Sequence, residues 1–153
     1  MLGYIQKSSL THTYFGPQGF QLFSSEEEQR AVQRKFTDDP SWNNAWFIVG
    51  MDTELGDPYL INKSSDDAVV YTGVFNGNTW ELVPVAQTIY SFIECLTLLR
   101  TVSAQTSEIF VPDDSTLTDK DILKDLEQQL IEISKCEAFW QQFIVCYIDW
   151  LTE

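Results

Sequence analysis

Trp46-Phe47-Ile48-Val49-Gly50-Met51-Asp52, then Gly56-Asp57-Pro58-Tyr59-Leu60-Ile61-Asn62, then Ala68-Val69-Val70-Tyr71-Thr72-Gly73-Val74-Phe75 are the stretches that decide the fold. Asn76-Gly77-Asn78-Thr79-Trp80-Glu81 follows, and an apolar-periodic run extends from Val85 to Leu99. Short runs rich in β-branched and aromatic residues, each closed by Gly, Pro, Asn or Asp, read as strands joined by turns. Trp46 to Val49 is the first strand, Tyr59 to Ile61 the second and Ala68 to Phe75 the longest. Asn76-Gly77-Asn78 turns the chain into Thr79 to Leu82. The polar loop Asn62 to Asp67 is long enough for a hairpin with an extended tip. Ala86, Ile89, Ile93, Leu96 and Arg100, with Phe92 and Leu99 beside them, recur at helical spacing, which predicts a helix opening near Ala86 to Thr88.

Outward from this centre, Tyr14, Phe15, Phe20 and Phe23 are punctuated by Gly16-Pro17 and Gly19, predicting extended segments whose rings lie against the core. Ser25 with Glu28 three residues later makes a capping box, and a helix should run from Glu26 to Phe36 with Val32 and Phe36 on its buried side. Pro40 closes that region, because the residue before a proline is pushed out of helical geometry. Ser103 to Leu117 is polar and reads as a loop. Thr118 and Asp121 predict a helix start. Asp119 to Glu153 lacks Gly and Pro and reads as helix, broken near Ser134-Lys135-Cys136, with a stripe of Ile122, Leu126, Leu130, Ile133, Trp140, Phe143, Tyr147 and Trp150. The expectation is an α+β fold: an antiparallel meander sheet of about four to six strands packed against helices, with a helical C-terminus.

The 153 residues are most simply one domain, able to bury roughly 70% of the unfolded surface. Five Trp, six Tyr and ten Phe supply ample core, which excludes disorder. Twenty-three acidic residues against nine basic ones leave a net charge of −14. Such a surface repels a phosphate backbone and anionic lipid, so neither nucleic acid nor membrane is expected as a partner. It steers a basic protein instead. Cys95, Cys136 and Cys146 form no close pair, and read as reduced, partly buried thiols of a reducing compartment. Met1 to Lys7 shows no secretory leader and no apolar run approaches a membrane span, so a cytoplasmic location is expected.

Catalytic patterns are scarce. His12 is the only histidine, flanked by threonines, and no Gly-x-Ser-x-Gly elbow supplies it with a nucleophile. Cys136 and Cys146 are ten residues apart on expected helix, several turns from each other, so no metal site is expected from them. Asp52, Glu54 and Asp57 put three carboxylates within six residues but lack the ligand series of a calcium loop. No phosphate-binding glycine motif is present. Trp46, Trp80, Trp140 and Trp150 fall on strands or a helix stripe and read as core. Neither a cofactor nor enzymatic activity is expected; a two-carboxylate hydrolase ranks last among the alternatives.

Gly50-x-Asp52, Gly56-Asp57-Pro58, Ala68-Val69-Val70-Tyr71, Gly77-x-x-Trp80 and Val85-Ala86-x-x-Ile89-x-x-Phe92, in this order and spacing, resemble the SUKH superfamily of Smi/Knr-type proteins. That superfamily includes bacterial toxin-immunity proteins and the fungal cell-wall-assembly regulator. The resemblance covers about residues 42–99 of a single domain spanning 1–153; the family's Glu-x-x-Leu-Gly-x-x-Leu-Pro helix signature is not found, and the helical part at 118–153 lies outside it. The resemblance implies a sheet packed on helices, no catalysis, and binding of another protein, with Gly56, Asp57, Pro58 and Trp80 in structural roles. Toxin-contacting residues vary between members, so none carries over. The expected function is therefore an immunity-like inhibitor of a cognate toxin, nucleases among the candidates. The alternative is a regulatory or scaffolding module without a toxin partner. A nuclease site is basic because it holds phosphate, and an acidic inhibitor complements it. Asp52, Glu54 and Asp57, and Asp66 with Asp67, are the candidate contacts; Asp113 and Asp114 extend the patch if their loop folds nearby.

Overall fold

Alternation of apolar and polar residues builds a six-stranded antiparallel sheet in strict sequence order, β1-β2-β3-β4-β5-β6. The structure, a computed structural model, describes residues 11–153; the stretch Met1 to Lys7 read for a leader lies outside them. The strands are β1 (His12–Phe15), β2 (Gln18–Leu22), β3 (Trp46–Asp52), β4 (Pro58–Asn62), β5 (Val70–Phe75) and β6 (Trp80–Ala86). The helices are α1 (Glu26–Thr37), α2 (Ile89–Ser103), α3 (Lys120–Ser134) and α4 (Glu137–Leu151). The α+β class, the meander and the helical C-terminus all match the expectation. No helix among the described residues is long and apolar enough to cross a membrane.

Because each strand reverses the last, the β1–β2, β3–β4 and β5–β6 turns gather at one end of the sheet, and α1 and the β4–β5 loop at the other. The two faces carry different cores. On one, Phe20, Leu22, Val49, Tyr59, Val70 and Val85 meet α2, α3 and α4 in a single buried cluster. Phe20 stands at its centre, with its ring within 6.2 Å of those of Tyr59, Phe92, Trp140 and Phe143. Burying one such side chain contributes about 1.5–3 kcal/mol. Trp140 is fully buried and its indole N–H donates to the Val85 carbonyl at 2.9 Å, which joins α4 to β6. On the opposite face, Phe23, Trp42, Ile48 and Leu60 are covered by α1 through Val32 and Phe36. Trp42 stands nearly perpendicular to Trp46 and Trp80, edge to face.

Several boundaries differ from the expectation, each for a local reason. Ala86 belongs to β6 rather than to the helix, because Ala86 still pairs with Val70 past a bulge at Val85; the helix cap is Thr88, whose hydroxyl accepts the Ser91 N–H at 3.0 Å. β5 begins at Val70, since Asp67 Oδ1 takes the Val69 N–H at 3.3 Å in the loop. The cap of α3 is Asp119, not Thr118: its carboxylate accepts the Asp121 and Ile122 N–H groups. Leu123, not Ile122, shares the buried face with Leu126 and Leu130, three and seven residues on, and Ile122 is exposed. Arg100 is also exposed, and its guanidinium donates to the His12 carbonyl at 3.3 Å. The break between α3 and α4 falls where expected, at Lys135 with φ 61°. Ser25 caps α1 by accepting the Glu28 N–H, but the Glu28 carboxylate reaches back to the Ser24 N–H and so closes the box one residue early.

Candidate functional site

The β3–β4 loop is shaped by Asp52, whose Oδ2 accepts the Leu55 N–H at 2.7 Å while its own N–H donates to the Asp57 carbonyl at 2.8 Å. Gly56 takes a φ of 78°, a left-handed conformation that a glycine adopts without strain. The result is a tight loop that carries Leu55 outward, 78% exposed. Thr53 ties the loop to β2 through its N–H on the Gly19 carbonyl at 2.9 Å.

Below this loop, a cleft of about 310 Å³ lies between the sheet and α4. Phe20, Tyr59, Thr72, Val74 and Val83 form its sheet side, and Ala138, Phe139, Gln142, Phe143 and Cys146 its helix side. Asp52, Glu54 and Asp57 stand at its rim, and none of the lining residues is basic. The volume is at the small end of ligand pockets, and the lining is mostly apolar with a few polar groups, the usual make-up of a recognition site. Partial burial raises the Glu54 and Asp57 carboxyls above their ordinary range, and the charge of Asp52 adds to both shifts. Burial likewise drives the Tyr59 phenol well upward, helped by Asp52 and then Asp57. Three carboxylates thus share a partly solvated rim with no cation among the cleft's own residues.

A second groove of about 530 Å³ adjoins the first. It is lined by Pro17, Phe110, Tyr147, Asp149, Trp150 and Glu153, and shares Gln18, Glu54, Leu55 and Cys146 with its neighbour. The loop after α2 is fixed here by Gln105, whose amide accepts the Gly16 N–H at 2.9 Å and donates to the Gly16 carbonyl at 2.7 Å. Trp150 Nε1 donates to the Phe110 carbonyl at 3.0 Å and Tyr147 Oη to the Leu117 carbonyl at 2.6 Å.

Of the residues read from sequence, Asp52, Glu54 and Asp57 come together at the cleft. Asp66 and Asp67 do not: the β4–β5 loop is at the opposite end of β4, so a strand's length separates the two acidic loops. Asp67 is occupied locally, with Oδ2 accepting the Ser65 hydroxyl at 2.8 Å. Asp113 and Asp114 lie in the loop before α3, outside both grooves, and Asp113 is held below the ordinary carboxylate range by hydrogen bonds from Ser115. His12 is exposed on β1 and stacks on Tyr14. Cys95 and Cys136 are buried, whereas Cys146, expected to be partly buried, is exposed at the groove with the Gln142 amide donating to its sulfur at 3.2 Å. Among the described residues no cluster of three or more His, Cys, Asp or Glu side chains is arranged to hold a metal ion. No family model, curated protein or solved structure matches this chain.

Sequence reading missed Leu55 and the α4 side of the cleft. The signal for Leu55 was present, as a lone large apolar residue inside an otherwise polar loop. Phe110-Val111, 74% and 76% exposed within the long polar loop, gave the same signal.

Proposed function

We propose that this protein is a non-enzymatic binding domain that uses the Asp52–Asp57 end of its sheet to hold a basic protein partner, as an immunity-like inhibitor of a cognate toxin. One observation carries the binding part of the reading: an apolar cleft whose rim holds three carboxylates and no cation. Carboxylates raised in pKa by burial gain free energy when a cation arrives, which favours a positively charged partner over an anionic one. The net charge of −14 adds long-range attraction. The toxin-directed part rests on the SUKH resemblance, with which the sheet-on-helix fold agrees. A regulatory module without a toxin partner uses the same surface and differs only in what it meets.

The same cleft bears on a two-carboxylate hydrolase, since raised carboxyls are what a general acid needs. Its walls favour binding instead. Phe20, Val74, Val83, Phe139 and Phe143 offer an apolar surface with few groups to orient a hydroxyl-rich substrate, and the Asp52 carboxylate is engaged in its own loop.

Co-purification with the product of the adjacent gene, followed by rescue of cells expressing that product, tests the function. Binding with rescue supports immunity, and binding without toxicity supports the regulatory module. Neither binding nor rescue overturns the immunity reading. Association should slow steeply as salt rises, and a salt-independent on-rate would remove the charge-steering argument.

A further inference from the structure

The two grooves differ in chemistry, and together they describe an occupant. The sheet–α4 groove is floored by Phe20, Tyr59, Val74 and Val83, and suits a large apolar side chain. Its neighbour holds the exposed ring of Phe110, over the buried Tyr147 and Trp150, beside the carboxylates of Glu54, Asp149 and Glu153. Aromatic faces combined with carboxylates favour a guanidinium or ammonium group, through cation–π and charge-assisted contacts together. Gln18, Glu54, Leu55 and Cys146 line both grooves, so side chains a few residues apart on one extended segment reach both.

We propose that this two-lobed groove binds a segment of the protein partner carrying a large apolar side chain close in sequence to an arginine or lysine, the apolar group in the sheet–α4 lobe and the cation in the neighbouring lobe with Phe110 and the carboxylates. The assignment rests on the binding function proposed above, and specifies the chemistry of the partner's contact.

A random-peptide phage library panned against the full chain, with fluorescence anisotropy on the selected peptides, tests it. Enriched peptides should pair a large apolar residue with Arg or Lys within a few positions. Their affinity should fall at least about tenfold in Leu55→Asp and in Glu54→Lys, as truncation of an interface anchor does. Alkylation of Cys146, which is exposed and lines both grooves, should block them, and replacing the peptide's Arg or Lys by Glu should abolish binding. Leu55 and Glu54 lie on a surface loop, and unchanged thermal unfolding of each variant separates lost binding from lost folding. No enrichment, enrichment of acidic peptides, or binding indifferent to both substitutions would overturn the proposal. So would a dimer in sedimentation that Leu55→Asp dissociates, because a second copy would then fill the groove. If the adjacent gene's product binds the protein and both variants equally, the groove assignment falls while the binding function stands. If the peptides bind as expected and that product does not, the groove stands and the immunity reading falls.

Discussion

Gln33 and Ile48 are joined by a side chain that behaves as a strand: the Gln33 Oε1 accepts the Ile48 N–H at 2.9 Å, while its Nε2 donates to the Trp46 carbonyl at 2.8 Å. One turn earlier, Gln29 Nε2 donates to the Ile48 carbonyl at 3.0 Å. The reason lies in the sheet. β2 pairs with β3 only from Leu22 opposite Gly50, and the chain then leaves into α1, so Trp46 and Ile48 have no strand neighbour on that side. Two glutamines of α1 supply the missing partners.

Gln33→Leu removes both bonds and leaves a donor and an acceptor of β3 unpaired in a part-buried site. The expected loss is about 1–3 kcal/mol of stability, read from urea unfolding followed by tryptophan fluorescence. Arg34→Gln, one residue on and on the exposed side, should stay within about 0.5 kcal/mol of the parent. Equal effects of the two substitutions would show that the amide bridge is not what docks α1.

Gly16 and Gly77 both adopt positive φ, at 63° and 99°, but in different surroundings. A Cβ on Gly16 would stand 2.8 Å from the Tyr147 ring, whereas one on Gly77 would meet nothing within 4 Å. Gly77→Ala should therefore cost about 1–2 kcal/mol, the backbone strain alone. Gly16→Ala should cost clearly more, because it also displaces Tyr147 from its bond to Leu117. Comparing the two midpoints of thermal unfolding isolates the steric part; a Gly16→Ala variant no worse than Gly77→Ala would contradict it.

What was legible in the sequence was what periodicity and turn chemistry encode. The meander followed from Gly56-Asp57-Pro58 and Asn76-Gly77-Asn78, where side chains dictate the backbone: Asn76 Oδ1 accepts the Asn78 and Thr79 N–H groups at 3.0 and 2.9 Å. The carboxylates at the cleft rim were legible too, because they are neighbours along the chain. Gln29 and Gln33 were not, since a buried glutamine that completes a sheet looks in sequence like any other polar helix residue. The α4 wall was hidden for a different reason. Phe143 belongs to the expected core stripe and is buried, and only the three-dimensional packing shows that it and Phe139 also line a cleft. One phase error, Ile122 for Leu123, arose because both are large apolar residues within a turn of Leu126, at i−4 and i−3, and only the position of Leu130 favours Leu123.

The three thiols should differ sharply in reactivity. Burial pushes the Cys95 thiol up to about 12, and burial raises Cys136 as well, so little thiolate exists at either near neutral pH. Cys146 is exposed. One equivalent of a thiol reagent should add rapidly to the native protein, at Cys146 by peptide mapping, and two more only on unfolding. Fast modification at Cys95 would contradict the packing of α2 against the Leu130 carbonyl, to which its sulfur is hydrogen-bonded at 3.7 Å.

Glu54 and Asp57 should oppose stability while serving binding. Their pKa values are raised in the folded protein, chiefly by burial and then by Asp52, so the ionised form is harder to hold there than in the unfolded chain. At neutral pH this subtracts from stability, and the loss fades as pH falls through the raised folded values. Glu54→Gln and Asp57→Asn should accordingly stabilise the fold at pH 7 by about 0.2–1 kcal/mol, a range set low because both groups are largely solvated. The gain should vanish once the pH lies below the carboxylate range, where the native side chains are neutral too. Affinity for a basic peptide should move the other way. It should drop about tenfold or more in the same variants at pH 7, and in the parent it should decline as pH falls, beginning above the range in which ordinary carboxylates protonate. Opposite signs for stability and affinity at the same two residues are the signature of a surface kept for a partner rather than for the fold. Calorimetric unfolding and peptide anisotropy across pH 4 to 8 read both quantities, and parallel losses of stability and binding in Asp57→Asn would place that carboxylate in the fold alone.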